Sequence, residues 1–575
     1  MHPYLRAIRR PLGVVVLFSA VINILVMASP LYMLQLYDRV LASRSVETLI
    51  SLTAITAVLL LSMAVLDVLR GRLLIRAGAL FHERIANRLF DAVLARTASH
   101  PQEPAREAQK DLHDIRQFVS GTGLVALIDA PWVLVFLGVI FVMHPLLGSV
   151  ALIGALILFA LAFLAELSTH SILQTSRSAT MKAERTLGES IRDVDALRVM
   201  GMVPNLRSLW RTRQNDAVFK QDIIGARLNA LTATTKAMRL ILQMAMLGTG
   251  AWLAIGQHIT PGFMIAASII MARALAPVEQ ALSAWRGFVA ARRGYQRLDH
   301  LFSVVPEEET GMPLPPPQGA LTVKNLFGGA PGNDKPIVRA INLRLEPGTV
   351  CAIVGPSAAG KSSLARLLIG AWPMLSGEVR LDGIDVASLQ KHAMGRHVGY
   401  LPQDIELLEG TIRENISRFC DGPPEETVRA AKLAGIHNMI LSFPDGYDTQ
   451  IGPKGIVLSG GQKQRIAMAR AFYGNPLLIV MDEPDAHLDE EGVAALFKAL
   501  SELKAGGRIV VITTHRPALM KAIDTLVILR DGVIERFGPT PDVLAQVRQS
   551  SRTTVSAPEA PSGTTDMNPA QEAPQ

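Results

Sequence analysis

The stretch GPSAAGKSS, Gly355–Ser363, carries glycines, a lysine and serines at a spacing suited to phosphate. It directly follows a short β-rich run, TVCAIVG (Thr349–Gly355). In that strand–loop–helix context the backbone of Gly355, Pro356, Ser357, Ala358, Ala359 and Gly360, continuing to Ser363, can wrap phosphates with its N–H groups. Lys361 is suited to reach the β- and γ-phosphates of a nucleotide, and the Ser362 hydroxyl to bind Mg²⁺. About a hundred residues later comes LSGGQKQRIAMARA, Leu458–Ala471, a glycine turn opening a basic amphipathic helix. A helix N-terminus is itself an anion site, through its free N–H groups and its dipole. One phosphate loop is thus accompanied by a second turn of phosphate-binding type.

Three further stretches offer the groups that hydrolysis of a phosphate ester needs. LLIVMDEP, Leu477–Pro484, is an apolar strand ending in two carboxylates. Asp482 is suited to hold Mg²⁺ directly or through water, and Glu483 to orient the water that attacks the γ-phosphate. Adjacent side chains at a strand end diverge, so the two roles can be divided between them. Gln403, in VGYLPQD, follows a strand-like run and is placed to touch Mg²⁺ or the attacking water. His515, in IVVITTHR, ends another apolar strand and is placed to contact the γ-phosphate.

These groups need a scaffold, and the 575 residues are too many for one ordinary core. Apolar residues cluster before about residue 290 and define six spans. Pro11–Tyr37 and Thr48–Leu66 carry no charge. Ala130–Ala165 is broken at MHPLLG and Leu240–Ala272 at GQHITPG, each reading as two helices with a tight turn. Each span is near the ~20 residues that cross a bilayer. The net charge of +7 resides mainly between the spans, as membrane loops require, so nucleic acid is not expected as a partner. Lys and Arg concentrate before the first span, over 70–116 and over 177–239, which places both termini in the cytosol. The connections 70–123 and 166–239 keep helical spacing and read as membrane helices continued into the cytosol, turning near Pro101–Asp111 and Met202–Trp210. Arg273, deep in the sixth span, is expected to face a cavity or partner, with Asp67 or Glu279 as counter-charges. Cys351 and Cys420 belong to no metal or disulfide pattern. The expected organisation is a six-span membrane domain over 1–300, a linker over 301–319, an α/β nucleotide domain over 320–547 and a disordered tail over 548–575.

The ordered set of phosphate loop, Gln403, LSGGQ, Asp482–Glu483, AHLD (Ala486–Asp489) and His515 resembles an ABC transporter ATPase domain. With six spans ahead of it, the chain resembles an exporter half-transporter: an all-α membrane domain followed by an α/β P-loop ATPase. The resemblance implies a head-to-tail homodimer that binds ATP and Mg²⁺. Ser459, Gly460, Gly461 and Gln462 would then close over ATP held by the partner's phosphate loop. The family usually stacks adenine on an aromatic ring at a position that falls near Ala330, where GGAPGND has none and Phe327 is the nearby ring. Gly452-Pro453-Lys454 stands where exporters commonly have an acidic Gly-Glu pattern.

ASPLYMLQLYDRVL (Ala28–Leu41), IDAPWVLVFLGVIFVMHPLLG (Ile128–Gly148) and GPSAAGKSSLARLLIGAWPMLSGEVRLDG (Gly355–Gly383) are similar to the protease-exporter (PrtD-like) subfamily of type I secretion ATPases. That resemblance implies a multi-pass protein of the bacterial inner membrane. It would export unfolded protein with a C-terminal signal, together with a periplasmic membrane-fusion adaptor and a TolC-like outer-membrane channel. The chain starts almost at its first span, so no N-terminal peptidase domain is expected. The alternative is an exporter of lipid, drug or another small amphipathic molecule.

Overall fold

The computed structural model describes residues 2–100, 106–305, 315–391, 394–452, 455–514 and 516–555. It divides into two units, Met1–Val93 with Pro104–Pro306, and Leu94–Glu103 with Glu307–Gln575.

The first unit is helical. Among the described residues, Arg9–Ser43, Val46–Ser99 and Val203–Ile255 are long and apolar enough to cross a bilayer. A fourth candidate is the pair Thr122–Asp129 and Trp132–Met143, bent by 43°. Pro145–Leu161 and Pro261–Pro277 are shorter apolar stretches. These helices lie within the apolar runs of the sequence, and three of them, or four with the bent pair, have the length of a span among the described residues. The breaks fall where the sequence predicts: His144 alone, in extended conformation, separates Trp132–Met143 from the next helix, and Ile255 is followed by a turn up to Pro261. The turn is fastened from outside, because Asp38 accepts from Thr260 Oγ1 at 2.5 Å and from the Gly262 N–H at 3.0 Å. Asp38 lies on a π-helical segment, Leu36–Val40, that interrupts the first span.

The connections between the spans are helical, as their spacing predicts. Val46–Ser99 runs for 54 residues, Pro145–Arg192 for 48, Val203–Ile255 for 53 and Pro261–Val304 for 44. Pro145–Arg192 and Val203–Ile255 pack along one another, with Ala179, Ala183 and Ala217 buried between more polar neighbours. Small side chains let the two backbones approach closely. Gln221 Nε2 donates to Thr180 Oγ1 at 3.2 Å, and Arg213 donates to Thr186. The turn between these helices comes at Met200–Met202, earlier than predicted, and residues 203–210 are already helical. Of the other predicted turning segment, 101–105 lies outside the described residues. Asp111 is buried in the Arg106–Ser120 helix, where it accepts two bonds from Arg297.

The apolar start of Val46–Ser99 is exposed in the single chain, as hydrocarbon-facing surface would be. From Arg70 onward the same helix is buried at helical spacing: Leu74, Ala77, Phe81, Ile85, Leu89 and Ala92. Arg70 begins that stripe inside a polar knot. It donates to Asp67 Oδ1 at 2.6 Å, to Ser19 Oγ at 3.0 Å and to Asp129 Oδ2 at 3.2 Å. Asn23 donates to the other Asp129 oxygen at 2.9 Å and to Ser19 O at 2.8 Å. The side chains of Arg70 and Asp129 are 10% and 13% exposed, so the charges are held by each other and not by water. The expected role of Asp67 and Glu279 as partners of Arg273 is corrected here. Asp67 pairs with Arg70, and Glu279 with Arg239 at 3.2 Å, because those arginines lie within reach of the same helix faces. Arg273 is exposed and makes no ion pair among the described residues.

The second unit holds a four-stranded antiparallel sheet, in the order Val338–Leu345, Leu321–Gly328, Met374–Leu381, Ile384–Asp385. A six-stranded sheet runs Val533–Pro539, Thr525–Arg530, Val350–Val354, Ile509–Thr513, Leu478–Asp482, Val398–Leu401. It is parallel except at the Val533–Pro539 edge. Its central strands VCAIV, IVVIT and LIVMD are buried almost throughout, as parallel strands covered on both faces require. The predicted linker falls largely on 306–314, outside the described residues. The predicted disordered tail, 548–575, is corrected at its start, since the helix Thr540–Val555 continues past residue 548. Residues 556–575 lie outside the described residues.

The polar knot generates a test of its own. Asp129→Ala leaves Arg70 short of its most buried counter-charge and should destabilise the protein by about 3 kcal/mol, the lower end for breaking a buried pair. Replacing both, Arg70→Met with Asp129→Leu, should recover most of that loss. Thermal unfolding in detergent is the measurement, and a double variant as unstable as Asp129→Ala would refute the account.

Candidate functional site

The parallel strands bring the predicted groups to one edge. Thr513 lies across from Ile353 on one side and Asp482 on the other, and Leu401 lies across from Met481. The phosphate loop leaves Val354, the carboxylate pair ends Leu478–Asp482, and Gln403 comes two residues after Leu401. All therefore stand at the carboxyl ends of neighbouring strands, where open parallel sheets bind ligands.

The phosphate loop has the backbone its sequence demands. Gly360 has φ +96°, a left-handed conformation that glycine adopts without strain. At Gly355 a Cβ would meet Leu529 O at 2.2 Å, so no side chain fits. The helix Lys361–Leu368 starts directly after the loop, so its free N–H groups face the cradle. Lys361 is buried, and its Nζ donates to Gly355 O at 2.9 Å and Pro356 O at 3.0 Å. Those carbonyls satisfy the ammonium until phosphate oxygens offer charge-matched partners.

At the carboxylate pair one hydroxyl governs the geometry. Thr513 Oγ1 donates to Asp482 Oδ1 at 2.6 Å and accepts from the Glu483 N–H at 2.8 Å. Glu483 has φ +49°, a conformation that costs a non-glycine residue ~1–3 kcal/mol. Its Oε2 accepts from Gln403 Nε2 at 3.1 Å, which joins two residues selected separately from sequence. Asp482 is 1% exposed, and its Oδ2 is buried with no hydrogen-bond partner among the described residues. A lone buried carboxylate oxygen beside a phosphate cradle is suited to a hard cation, so the residues fit Mg²⁺. His515 lies outside the described residues, as do Pro453 and Lys454.

Sequence reading missed the supporting partners. Thr513 ends an apolar strand and carries no signal apart from its register with Asp482. Thr514 Oγ1 donates to Asp485 Oδ1 at 3.2 Å, and Asp485 also pairs with Arg516 at 3.4 Å. Gln464 Nε2 donates to Glu483 O at 3.3 Å and Pro484 O at 3.0 Å.

The second glycine turn is a capped helix start. Ser459 is the N-cap of Gly460–Phe472, and Ser459 and Gln462 exchange bonds: Ser459 Oγ accepts from Gln462 N at 3.3 Å, and Gln462 Oε1 accepts from Ser459 N at 2.9 Å. At Gly461 a Cβ would come within 3.0 Å of His487 O. Asp489 of AHLD caps the helix Glu490–Ala505 and accepts from Arg465 at 2.7 Å. The Gly492 N–H bond, followed by Arg465, holds the Asp489 carboxyl below its ordinary pKa. Ala330 lies in a turn, with its carbonyl accepting from Asn333 N at 3.0 Å, while Phe327 is half-buried on the neighbouring strand. Burial pushes the Cys351 thiol up to about 12, and Cys420 is exposed.

Comparison with known proteins covers both units. Residues 12–278 match the family model for the ABC transporter transmembrane region, and residues 338–486 that for the ABC transporter. The chain is 39% identical over 531 residues to the type I secretion system ATP-binding protein PrsD of Rhizobium meliloti (strain 1021), covering 92% of this chain and 91% of that one. It is 28% identical over 542 residues to the exotoxin translocation ATP-binding protein PaxB of Pasteurella aerogenes, covering 92% of this chain and 75% of that one. Its fold resembles a bacterial Atm1-family ABC exporter solved with ATP bound, with a TM-score of 0.79, 21% identity, and coverage of 96% of this chain and 99% of that one.

The geometry separates binding from turnover. Glu483→Gln keeps the cradle and Lys361, so ATP should still bind while kcat falls by about a hundredfold or more, the scale of losing a general base. Lys361→Ala should instead weaken ATP binding itself. Nucleotide affinity and steady-state hydrolysis, measured on both variants, check the division; normal turnover by Glu483→Gln would exclude its water-orienting role.

Proposed function

The chain belongs to the ABC transporter family, and from that premise we propose that it exports unfolded proteins bearing a C-terminal secretion signal. As a member of that family it binds and hydrolyses ATP to drive export. The observation that carries the cargo assignment is the likeness to a type I secretion ATP-binding protein across 92% of the chain, membrane region included. Likeness to an exotoxin translocation protein over the same share supports it. In this reading the protein sits in the bacterial inner membrane with both termini in the cytosol, because Lys and Arg crowd the connections on one side. It works with a periplasmic membrane-fusion adaptor and a TolC-like outer-membrane channel.

Two copies complete the machine in this proposal. Each composite site takes Lys361 and the phosphate loop from one protomer, and the Ser459–Gln462 turn from its partner. Lys361 binds the β- and γ-phosphates. The N–H groups at Gly460 and Gly461 meet the γ-phosphate held by the partner, as a helix start favours an anion. Glu483, steadied by Gln403, orients water on the γ-phosphate, with His515 beside it. Bound Mg²⁺, held by Ser362, Asp482 and Gln403, would supply neutralisation of phosphate charge. ATP thus contributes binding free energy to the closed dimer alone, and hydrolysis removes it.

Cargo class is tested by expressing the chain with an adaptor and a channel, beside a reporter that carries or lacks the C-terminal segment of a secreted protein. Segment-dependent appearance in the medium supports the proposal; no secretion, with ATPase stimulated by lipid or drug, would replace it with small-molecule export. The dimer has a sharper consequence. Pairing a Lys361→Ala protomer with a Ser459→Arg protomer puts both lesions in one composite site and none in the other. The purified mixed dimer should trap one nucleotide under vanadate, whereas neither homodimer should trap any. An intact mixed dimer that traps none would refute the head-to-tail arrangement.

A further inference from the structure

Gln464 lies inside the second turn of the helix that begins at Ser459, and it is 1% exposed. Its amide nitrogen reaches two successive carbonyls, those of Glu483 at 3.3 Å and Pro484 at 3.0 Å. Glu483 is therefore held at both ends of its backbone, through its N–H by Thr513 and through its C=O by Gln464. The other amide atom of Gln464, Oε1, is buried with no partner among the described residues. An apolar side chain of the same length would fill that space without burying a lone acceptor. Packing does not account for glutamine at 464; donation to the 483–484 turn does.

The helix that Gln464 belongs to has a second task at its first turn. Its start, Ser459–Gln462, is the element that closes on the partner's ATP in the head-to-tail dimer proposed above, a reading on which this inference rests. Glu483 serves the ATP of its own phosphate loop. The two tasks address different nucleotides, and Gln464 is the side chain that ties one to the backbone of the other. We infer that Gln464 is a positioning residue that transmits closure over the partner's ATP to the carboxylate acting on the chain's own ATP. Through it, each protomer senses at one composite site whether the other has closed. It is buried and acts through the left-handed backbone of Glu483.

The test uses the full-length protein. Gln464→Met keeps length and packing and removes the donor. Gln464→Glu keeps shape and sets an acceptor against the two carbonyls. Both should lower kcat by about tenfold or more, the fold-change of one lost hydrogen bond at the upper end of its usual worth, while KM for ATP stays within about twofold. A merely structural glutamine would lower the melting temperature and leave kcat per folded protein unchanged, which would overturn the inference. Transmission is read in a mixed dimer of one wild-type and one Gln464→Met protomer, by single-turnover hydrolysis. The ATP on the Gln464→Met protomer's phosphate loop should be cleaved slowly and the other at the wild-type rate, because the wild-type protomer keeps its own Gln464; equal rates at the two sites would overturn the inference. The Glu483→Gln homodimer separates the two failures. If it closes around ATP while Gln464→Met keeps its kcat, the role of Gln464 alone is refuted. If it never closes, the dimer is refuted and the transmission with it.

Discussion

The edge that gathers the candidate site depends on one hydroxyl shared between two neighbours. Thr513 Oγ1 spends its proton on Asp482 and its lone pair on the Glu483 N–H. The first bond orients Asp482 so that its remaining oxygen stays free for a cation. The second holds the backbone at Glu483 in a left-handed turn that no glycine eases. Adjacent carboxylates on a regular strand would point to opposite faces of the sheet. The turn at Glu483 brings the second one back to the edge, within reach of Gln403. Parallel register is what makes this possible, because Thr513 stands beside Asp482 only when the two strands are paired without a slip.

That dependence marks where sequence reading succeeds and where it stops. The phosphate loop is legible because its chemistry needs glycine, lysine and serine at fixed spacing within nine residues. The Asp482–Glu483 pair is legible because two charges end an otherwise apolar strand. Thr513 and Gln464 carry no such local signature: a threonine at a strand end and a glutamine in a helix are commonplace. Their meaning arises from partners 31 and 19–20 residues away in the chain, brought close by sheet pairing and helix packing. Ser459 was legible as a helix start with anion-binding character, and the capping bond with Gln462 gives that reading its local geometry.

The membrane unit shows the same division. Runs without charge and breaks at proline and glycine place the spans and turns, since bilayer thickness leaves few other solutions. Ion pairing inside the unit is not written in spacing. Arg273, Asp67 and Glu279 look like natural partners along the chain, yet Arg70 and Arg239 take the two carboxylates. The choice is made by which helix faces meet, and it joins Ser19, Asn23, Arg70 and Asp129 into one satisfied group. At the other end, Ser, Thr and Gln over 548–575 suggest disorder by composition. The helix Thr540–Val555 continues into them, and its first turn anchors it through Val543, which is buried in the same core as Leu503 and Leu519.

The long paired helices have a mechanical consequence. Pro145–Arg192 and Val203–Ile255 form a double rod, joined at a turn around Gly201 and packed through small side chains. A single helix of that length bends gently under load. Two side by side share the bending moment and are stiffer than either alone. A 53-residue helix is about 80 Å long, so a tilt of about 5° at one end displaces the other by about 7 Å. That displacement exceeds one helical turn. The double rod is therefore a lever that amplifies displacement, and the angle it turns through can stay within what side-chain packing tolerates.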